Sequence, residues 1–380
     1  MRLTARELNR ATLTRQLLLG RQALDVVEAV RRLVALQAQH AASPYLALWN
    51  RLAGFDPADL DAAFAEGKVV KATLLRITLH AVHAEDYPPF HEAMQPSLRA
   101  PRLGDPRFTS SGITAADADA LIGELLAFAA QPRTAAEIQP WIEARLGVPP
   151  KGVWWALRSY APLLHAVTGG PWSFGARPAY IAAGIAPTLG KAADQALQRL
   201  VLRYLEGFGP ASVADVAQFA LVSRSRVRSA MGAQAGVLER LTGPDGTELF
   251  DLPDAPRPAA DTPAPPRLLP MWDNILLAYA DRSRVIPPDY RKLVTRSNGD
   301  VLPTLLVDGH VAGVWRPVEE GIEATAFHPL PRETWDQLAD EAQALAALLA
   351  DREPGVYRRY DRWWSDLPGA EGRILPEQTP

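Results

Sequence analysis

The stretch SVADVAQFALVSRSRVRSAMG, residues 212–232, followed by VLERLTGPDGTELFDL, residues 237–252, decides how the rest of the chain reads. Ser212 with Asp215 three positions on is a capping-box pattern, and Ser223 supplies the N-cap of a further helix reaching about Gly232. Upstream, residues 189–208 contain a helix ended by Gly209-Pro210. Downstream, residues 237–241 and 247–252 flank a Gly-Pro-Asp-Gly turn as the strands of a hairpin. Helix, helix, helix, hairpin is the order of a helix-turn-helix unit carrying a wing.

The same order appears twice before it. Thr114 with Asp117 opens a helix to about Ala130, and Thr134 with Glu137 opens one to about Leu146. Residues 149–160 supply a third helix, and 163–167 with 172–174 read as a hairpin around Gly169-Gly170-Pro171. At the front, Thr4 with Glu7 caps a helix to about Leu19, and a second runs from Val26 to near His40. A third covers 44–52, and Asp56-Pro57 starts a short helix to about Ala65. Residues 69–82 then alternate with strand period, placing Arg76, Thr78 and His80 on one face of a continuous strand. The expected fold is mainly α with β wings: three tandem winged-helix modules over 1–110, 111–187 and 188–253. A C-terminal segment, 254–380, follows. It begins with a Pro- and Ala-rich linker to Pro266. Strands are expected at 268–279, 302–307 and 311–316, the last two joined at Asp308-Gly309, with a helix over 332–349 behind Pro331. The Pro- and Gly-rich residues after Asp366 are expected to fray.

The 380 residues, 48% of them hydrophobic, suffice for a large core or several modules. No run of about 18 apolar residues is present, so no transmembrane helix is expected. The first residues are charged and lack a signal-peptide core, and there is no cysteine for disulfides or thiolate zinc sites. A cytoplasmic protein is expected. A net charge of −3 leaves a nucleic-acid partner open, because only a local basic face is needed. Phosphate-binding loops, dinucleotide fingerprints, zincin helices and nucleophile elbows are all missing, so no cofactor and no metal are expected.

Two groups of polar residues stand out. Val26, Val30, Leu33 and Val34 form an apolar helical stripe, and Gln37 is its next member. An amide there must find hydrogen-bond partners or open to a cleft. Gln39 would lie at the helix end, so Gln37 is expected to be the more enclosed of the two and Gln39 the more exposed. Solvation or capping of the helix end is the alternative account of the pair. The second group is cationic: Arg224 and Arg228, four apart, share a face of the helix in recognition position. Arg76, Thr78 and His80 are candidate phosphate contacts from the first wing. A solvated charged surface is the plain alternative for each.

Gln37-Ala38-Gln39 followed by Pro44-Tyr45 and Leu48-Trp49 resembles the AlkZ-type winged-helix DNA glycosylases, also known as the YcaQ-like family. So do Lys71 through His80, Phe208-Gly209-Pro210, Trp272-Asp273-Asn274, Asp281-Arg282, and Val307-Asp308-Gly309 with Trp315-Arg316. The likeness runs from about Leu3 to Ala350, and its Gln-apolar-Gln form resembles the branch that unhooks bulky adducts and interstrand crosslinks. It implies a monofunctional DNA repair glycosylase acting on N7-alkylguanine in double-stranded DNA, with Gln37 and Gln39 as catalytic residues. Crosslinks of the azinomycin type, self-resistance to a DNA-alkylating natural product, and a monomer are implied with it. Two other readings share the modules. A non-enzymatic winged-helix transcriptional regulator leaves Gln37 without a chemical task, and an interaction scaffold leaves the arginine helices unexplained.

Overall fold

The computed structural model describes residues 1–147, 149, 151–364 and 367–376. Helix α1 (Ala5–Arg15) starts where its capping box demands: the Glu7 N–H donates to Thr4 Oγ1 at 3.2 Å, and Thr4 N–H donates back to the Glu7 carboxylate at 2.7 Å. Then come α2 (Val26–Arg32), β1 (Leu36–Gln37), α3 (Ser43–Trp49), α4 (Pro57–Ala65), β2 (Val69–Thr73) and β3 (Leu79–His83). The long α5 (Tyr87–Leu103) and the short α6 (Pro106–Thr109) lead into α7 (Ala115–Phe128), β4 (Arg133–Thr134), α8 (Ala135–Leu146), α9 (Lys151–Tyr160), β5 (Leu163–His165) and β6 (Ala179–Ala182). The order helix, helix, helix, hairpin repeats in α10 (Ala193–Phe208), α11 (Val213–Ala220), α12 (Arg224–Gly232), β7 (Glu239–Thr242) and β8 (Glu248–Asp251). The chain closes with β9 (Arg267–Leu269), α13 (Arg291–Val294), β10 (Thr304–Val307), β11 (His310–Val318), β12 (Gly321–Ala326), α14 (Arg332–Ala350) and β13 (Glu371–Leu375).

Five local expectations are corrected. The helix from Val26 ends at Arg32, because Val34 turns the chain at φ 71° and residues 36–38 extend along β3. Residues 33–38 are buried on every side, so an apolar run that fits a helical stripe fits a sheet equally well, and pairing with β3 wins. Residues 69–82 are two antiparallel strands, Thr73 opposite Leu79, joined by a 3-10 turn at Leu75–Ile77. That turn has no Gly, Asn or Pro. Arg76 and Ile77 themselves take the left-handed conformation, at φ 53° and 57°. Third, the second strand of the middle hairpin is β6, not 172–174. Those residues cross to the first segment, where Trp172 packs on Tyr45 at 5.1 Å and Phe174 on Phe64 at 4.9 Å. Fourth, of the expected 268–279 strand only residues 268 and 269 lie in a strand, because Asp273 caps a 3-10 turn at Asn274–Leu276. Fifth, residues 371–375 do not fray but pair with β12 at the edge of the C-terminal sheet, ordered β13-β12-β11-β10-β9.

The two larger hydrophobic cores bridge the four expected segments. One joins α2, α3 and α4 to the C-terminal sheet and α14, with Tyr45, Leu46, Trp315 and Trp335 inside it. The other joins α5 to the middle and third segments through Phe90, Tyr160, Tyr204 and Phe219. The small sheet β1-β3-β2 lies between them. Leu36, Val69 and Ala81 face the first core, and Val70, Ala72 and Val82 face the second. This sandwiched sheet carries Gln37.

Burial also predicts an acid sensitivity. His91 sits in the second core against the Tyr160 carbonyl, 3.1 Å away, and burial pushes its pKa down to about 4. Burial and the neighbouring Arg76 push His80 well below 6.5. Both folded pKa values lie below the unfolded value, so each contribution is complete above pH 6.5 and is lost as pH falls from there through the folded pKa. Each histidine should cost about 1.4 kcal/mol per pH unit in that window. Urea unfolding at pH 7.5 and pH 5 should show the drop, with unfolding taking up protons. Equal stabilities at the two pH values would mean that these histidines are not held neutral.

Candidate active site

Gln37 is pinned from two sides. As a member of β1 it lies opposite His80 of β3, and His80 lies opposite Ala72 of β2, so the three share one face of the sheet. The Gln37 N–H donates to Asn274 Oδ1 at 3.2 Å. Asn274 lies in the 3-10 turn capped by its neighbour Asp273, whose carboxylate accepts from Arg51 Nη1 and Nη2 at 2.8 Å. Arg51 and Asp273 side chains are both 0% exposed. Arg51 also donates to the Gln16 and Ala47 carbonyls, at 2.9 Å each. The arrangement is a rigid strut from α3 through the 3-10 turn to the main chain of β1.

On the other side stands Arg76, at the tip of the β2–β3 turn. Its Nη2 donates to Gln37 Oε1 at 2.8 Å and to His80 Nε2 at 3.2 Å, and its Nη1 donates to the Phe219 carbonyl at 3.1 Å. Arginine has no acceptor, so the Gln37 amide must turn its oxygen toward it and His80 Nε2 must carry no proton. His80 is accordingly the tautomer protonated on Nδ1, donating to the Thr78 carbonyl at 3.1 Å. Burial, then the nearby Arg282, lowers the Arg76 pKa to about 10, which leaves it a cation at neutral pH. Val34, three residues before Gln37, and Arg76, which bonds its side chain, both take the left-handed conformation. Strain of this kind persists only where surrounding contacts over-determine it, and it clusters at functional sites.

Gln37 is 6% exposed whereas Gln39 is exposed. That is the expected ranking, but it arises from strand pairing, not from a helical stripe. The ladder continues through Ala38, whose N–H donates to the Leu79 carbonyl at 2.8 Å. Past Ala38 the chain leaves the strand in a bend at residues 39 and 40, so Gln39 sits at the open end of the ladder. Gln39 Oε1 accepts from the Leu79 N–H at a long 3.4 Å, so its amide is loosely held.

The other expected site residues divide in two. Arg76 and His80 are both assembled around Gln37, Arg76 partly exposed and His80 0% exposed, which leaves the His80 ring no surface for a phosphate. Thr78 is partly buried and its hydroxyl donates to the Leu75 carbonyl inside the turn. Arg224 and Arg228 are exposed on α12, while Arg226 between them pairs with Asp194 at 2.8 Å. Helix α11, immediately before α12, supplies the Phe219 carbonyl to Arg76 and so ties this basic helix to the glutamine site.

Sequence reasoning missed Arg51, Asp273 and Asn274 as supports, and it missed Lys71. Lys71 is buried on the opposite face of the sheet, across from Ala81, with Nζ 4.3 Å from the Phe174 ring centre. Burial lowers its pKa to about 8. A lysine at an inward position of the apolar strand VVKAT is a legible signal. Asn274 has none beyond an amide inside a hydrophobic run. Among the described residues no three His, Cys, Asp or Glu side chains come together as a metal site.

The profile of the family described as DNA glycosylase AlkZ-like matches residues 30–348. The chain belongs to this AlkZ-like family. An interstrand DNA cross-link repair glycosylase of Streptomyces sahachiroi is 28% identical over 171 residues, which span 43% of this chain and 44% of that relative's own length. The solved structure of the Streptomyces sahachiroi DNA glycosylase AlkZ superposes with a TM-score of 0.77 at 22% identity, covering 92% of this chain and 98% of the other. The AlkZ-like match includes both glutamines, the Arg76 turn, α12 and the Asp273-Asn274 strut. Strand β13 and the 3-10 turn Arg358–Trp363 lie beyond it.

Proposed function

We propose that the protein is a monofunctional DNA glycosylase that hydrolyses the N-glycosidic bond of N7-alkylguanine, bulky adducts and interstrand crosslinks included. The observation that carries the proposal is the Gln37–Gln39 pair, one amide buried and anchored and the other exposed, on a clamped strand of an AlkZ-like chain. Alkylation at N7 leaves the purine cationic and therefore a good leaving group. As the C1′–N9 bond breaks, its electron pair stays on N9 and neutralises the base. Water oxygen adds to C1′, and a water proton passes to solvent. Positive charge develops on the sugar, so oriented dipoles and a held water do the work. Amides can supply both, but they are poor general bases, so unalkylated purines should be poor substrates.

In this reading the helix–hairpin repeats are three winged-helix modules that wrap the duplex, and Arg224 and Arg228 meet its backbone phosphates. A crosslinked base is tied to the opposite strand, so attack from outside the stack suits this substrate better than flipping into a pocket. Resistance to a DNA-alkylating natural product of the azinomycin type is the biological setting that follows. Arg224→Ala and Arg228→Ala should each weaken binding and reduce the slope of log K against log salt by about 0.9. Fluorescence anisotropy from 50 to 200 mM salt measures this, and an unchanged slope would remove α12 from the interface. The activity itself is tested by incubating the protein with a duplex carrying N7-alkylguanine and assaying abasic sites. Binding without base release would favour a DNA-binding regulator.

A further inference from the structure

The glutamine pair is not symmetric, and the hydrogen bonds around it state the asymmetry. Gln37 Oε1 is taken by Arg76 at 2.8 Å, on the inner side of the site. Arg76 is fixed in turn by His80 and the Phe219 carbonyl, so it cannot readily release that oxygen. Gln37 Nε2 has no hydrogen-bond partner among the described residues, and it is not one of the polar atoms sealed from solvent. The end of Gln37 open to solvent is therefore its NH2 group. Gln39 is exposed, and its oxygen has only the long contact to the Leu79 N–H. It is the amide free to offer oxygen.

We infer that the two glutamines work with opposite polarity: Arg76 fixes Gln37 as a hydrogen-bond donor to the departing base, and Gln39 supplies the acceptor oxygen for the water and the sugar cation. This rests on the glycosylase reading above. A donor aimed at the attacking water's oxygen would tie up the lone pair that must attack. A donor aimed at the ring oxygen of the sugar would withdraw the electrons that stabilise the oxocarbenium ion. The productive partner is an acceptor on the purine, and N3 is the one nearest N9. A hydrogen bond there draws electron density into the base as the C1′–N9 pair moves to N9. Gln39 oxygen has the complementary tasks: it accepts a proton-bearing edge of the water and lies against developing positive charge. Arg76 touches neither substrate nor water in this arrangement and is a positioning residue.

Carboxylate substitutions separate the roles. In Gln37→Glu both side-chain atoms accept, the Arg76 contact becomes an ion pair, and the donor is gone. Single-turnover release of N7-methylguanine should fall as far as in Gln37→Ala. Gln39→Glu keeps an acceptor and should stay within about tenfold of wild type, where loss of one oriented dipole costs roughly 10²- to 10³-fold. Arg76→Met should lower the rate without changing DNA affinity or its salt slope, and Arg76→Lys should recover part of the rate. Retained activity in Gln37→Glu, or a loss in Gln39→Glu as deep as in Gln39→Ala, overturns the assignment. So does an Arg76→Met variant whose defect lies in affinity and salt slope, since that is the signature of a phosphate contact. Circular dichroism and thermal melting confirm that each variant is folded before its rate is compared. An inactive wild-type protein would instead sink the glycosylase reading itself, so the two failures are told apart.

Discussion

Alanine at both Gln37 and Gln39 is expected to abolish measurable release of N7-alkylguanine, with each single change slowing it about 10²- to 10³-fold, the usual cost of one preorganised dipole. Affinity for the duplex should stay within a few-fold of wild type, because neither amide carries charge and phosphate contacts dominate binding. The double change should also cost less than the product of the single ones, since the residues act on one transition state. Gln37→Ala should carry a stability penalty as well, because it leaves Arg76 without its side-chain oxygen partner inside the site. Rates measured at saturating enzyme, with thermal melts of each variant, separate this chemistry from loss of fold. Wild-type release by the double variant would place the reaction elsewhere.

The second large effect is on stability, and it reaches the chemistry through Asn274. Arg51→Ala or Asp273→Ala leaves a buried unpaired charge where both partners are wholly inaccessible, and should cost about 3–5 kcal/mol. Urea denaturation reads the loss directly. Replacing the two together by Met and Leu should recover much of the stability, since apolar residues of similar volume can substitute for a buried pair. It should not recover base release, because the Asp273 carboxylate also accepts from the Ile275 N–H at 3.2 Å and shapes the turn that presents Asn274 to Gln37. A double variant that is both stable and fully active would show that the strut supports the fold alone.

Local chemistry was legible in the sequence where a signal depends on neighbours in the chain. The capping boxes at Thr4, Thr114, Thr134 and Ser212 all form, and each helix starts at the following residue. The Asp308-Gly309 turn likewise joins β10 to β11 as its dipeptide implied. Errors came where tertiary pairing chose between options that periodicity leaves equal. Residues 33–38 could be helix or strand, and only β3 decides. The β2–β3 turn was invisible because Arg76 and Ile77 hold the left-handed conformation that a glycine would have advertised. Trp172 and Phe174 alternate like a strand but serve as a plug against Tyr45 and Phe64.

The candidate site follows the same division. Gln37 was visible as a polar residue in an apolar run, and its burial relative to Gln39 was anticipated. The Arg76 contact that sets its polarity spans 39 positions, and the Asn274 contact spans 237. No window of sequence contains either. His80 offered a misleading sign: sharing one face of an apparent continuous strand with Arg76 and Thr78 suggested phosphate, whereas its full burial makes it a neutral acceptor for Arg76.

The most direct test is a mass balance on wild-type protein with a duplex holding one N7-alkylguanine. The reaction is followed by mass spectrometry of both the released base and the strand, without added base or lyase. The account predicts free alkylguanine and one intact abasic site per base lost, and the same unhooking when the alkyl group bridges two guanines on opposite strands. Tight binding with the modified base still attached, or strand scission in place of an intact abasic site, would contradict it.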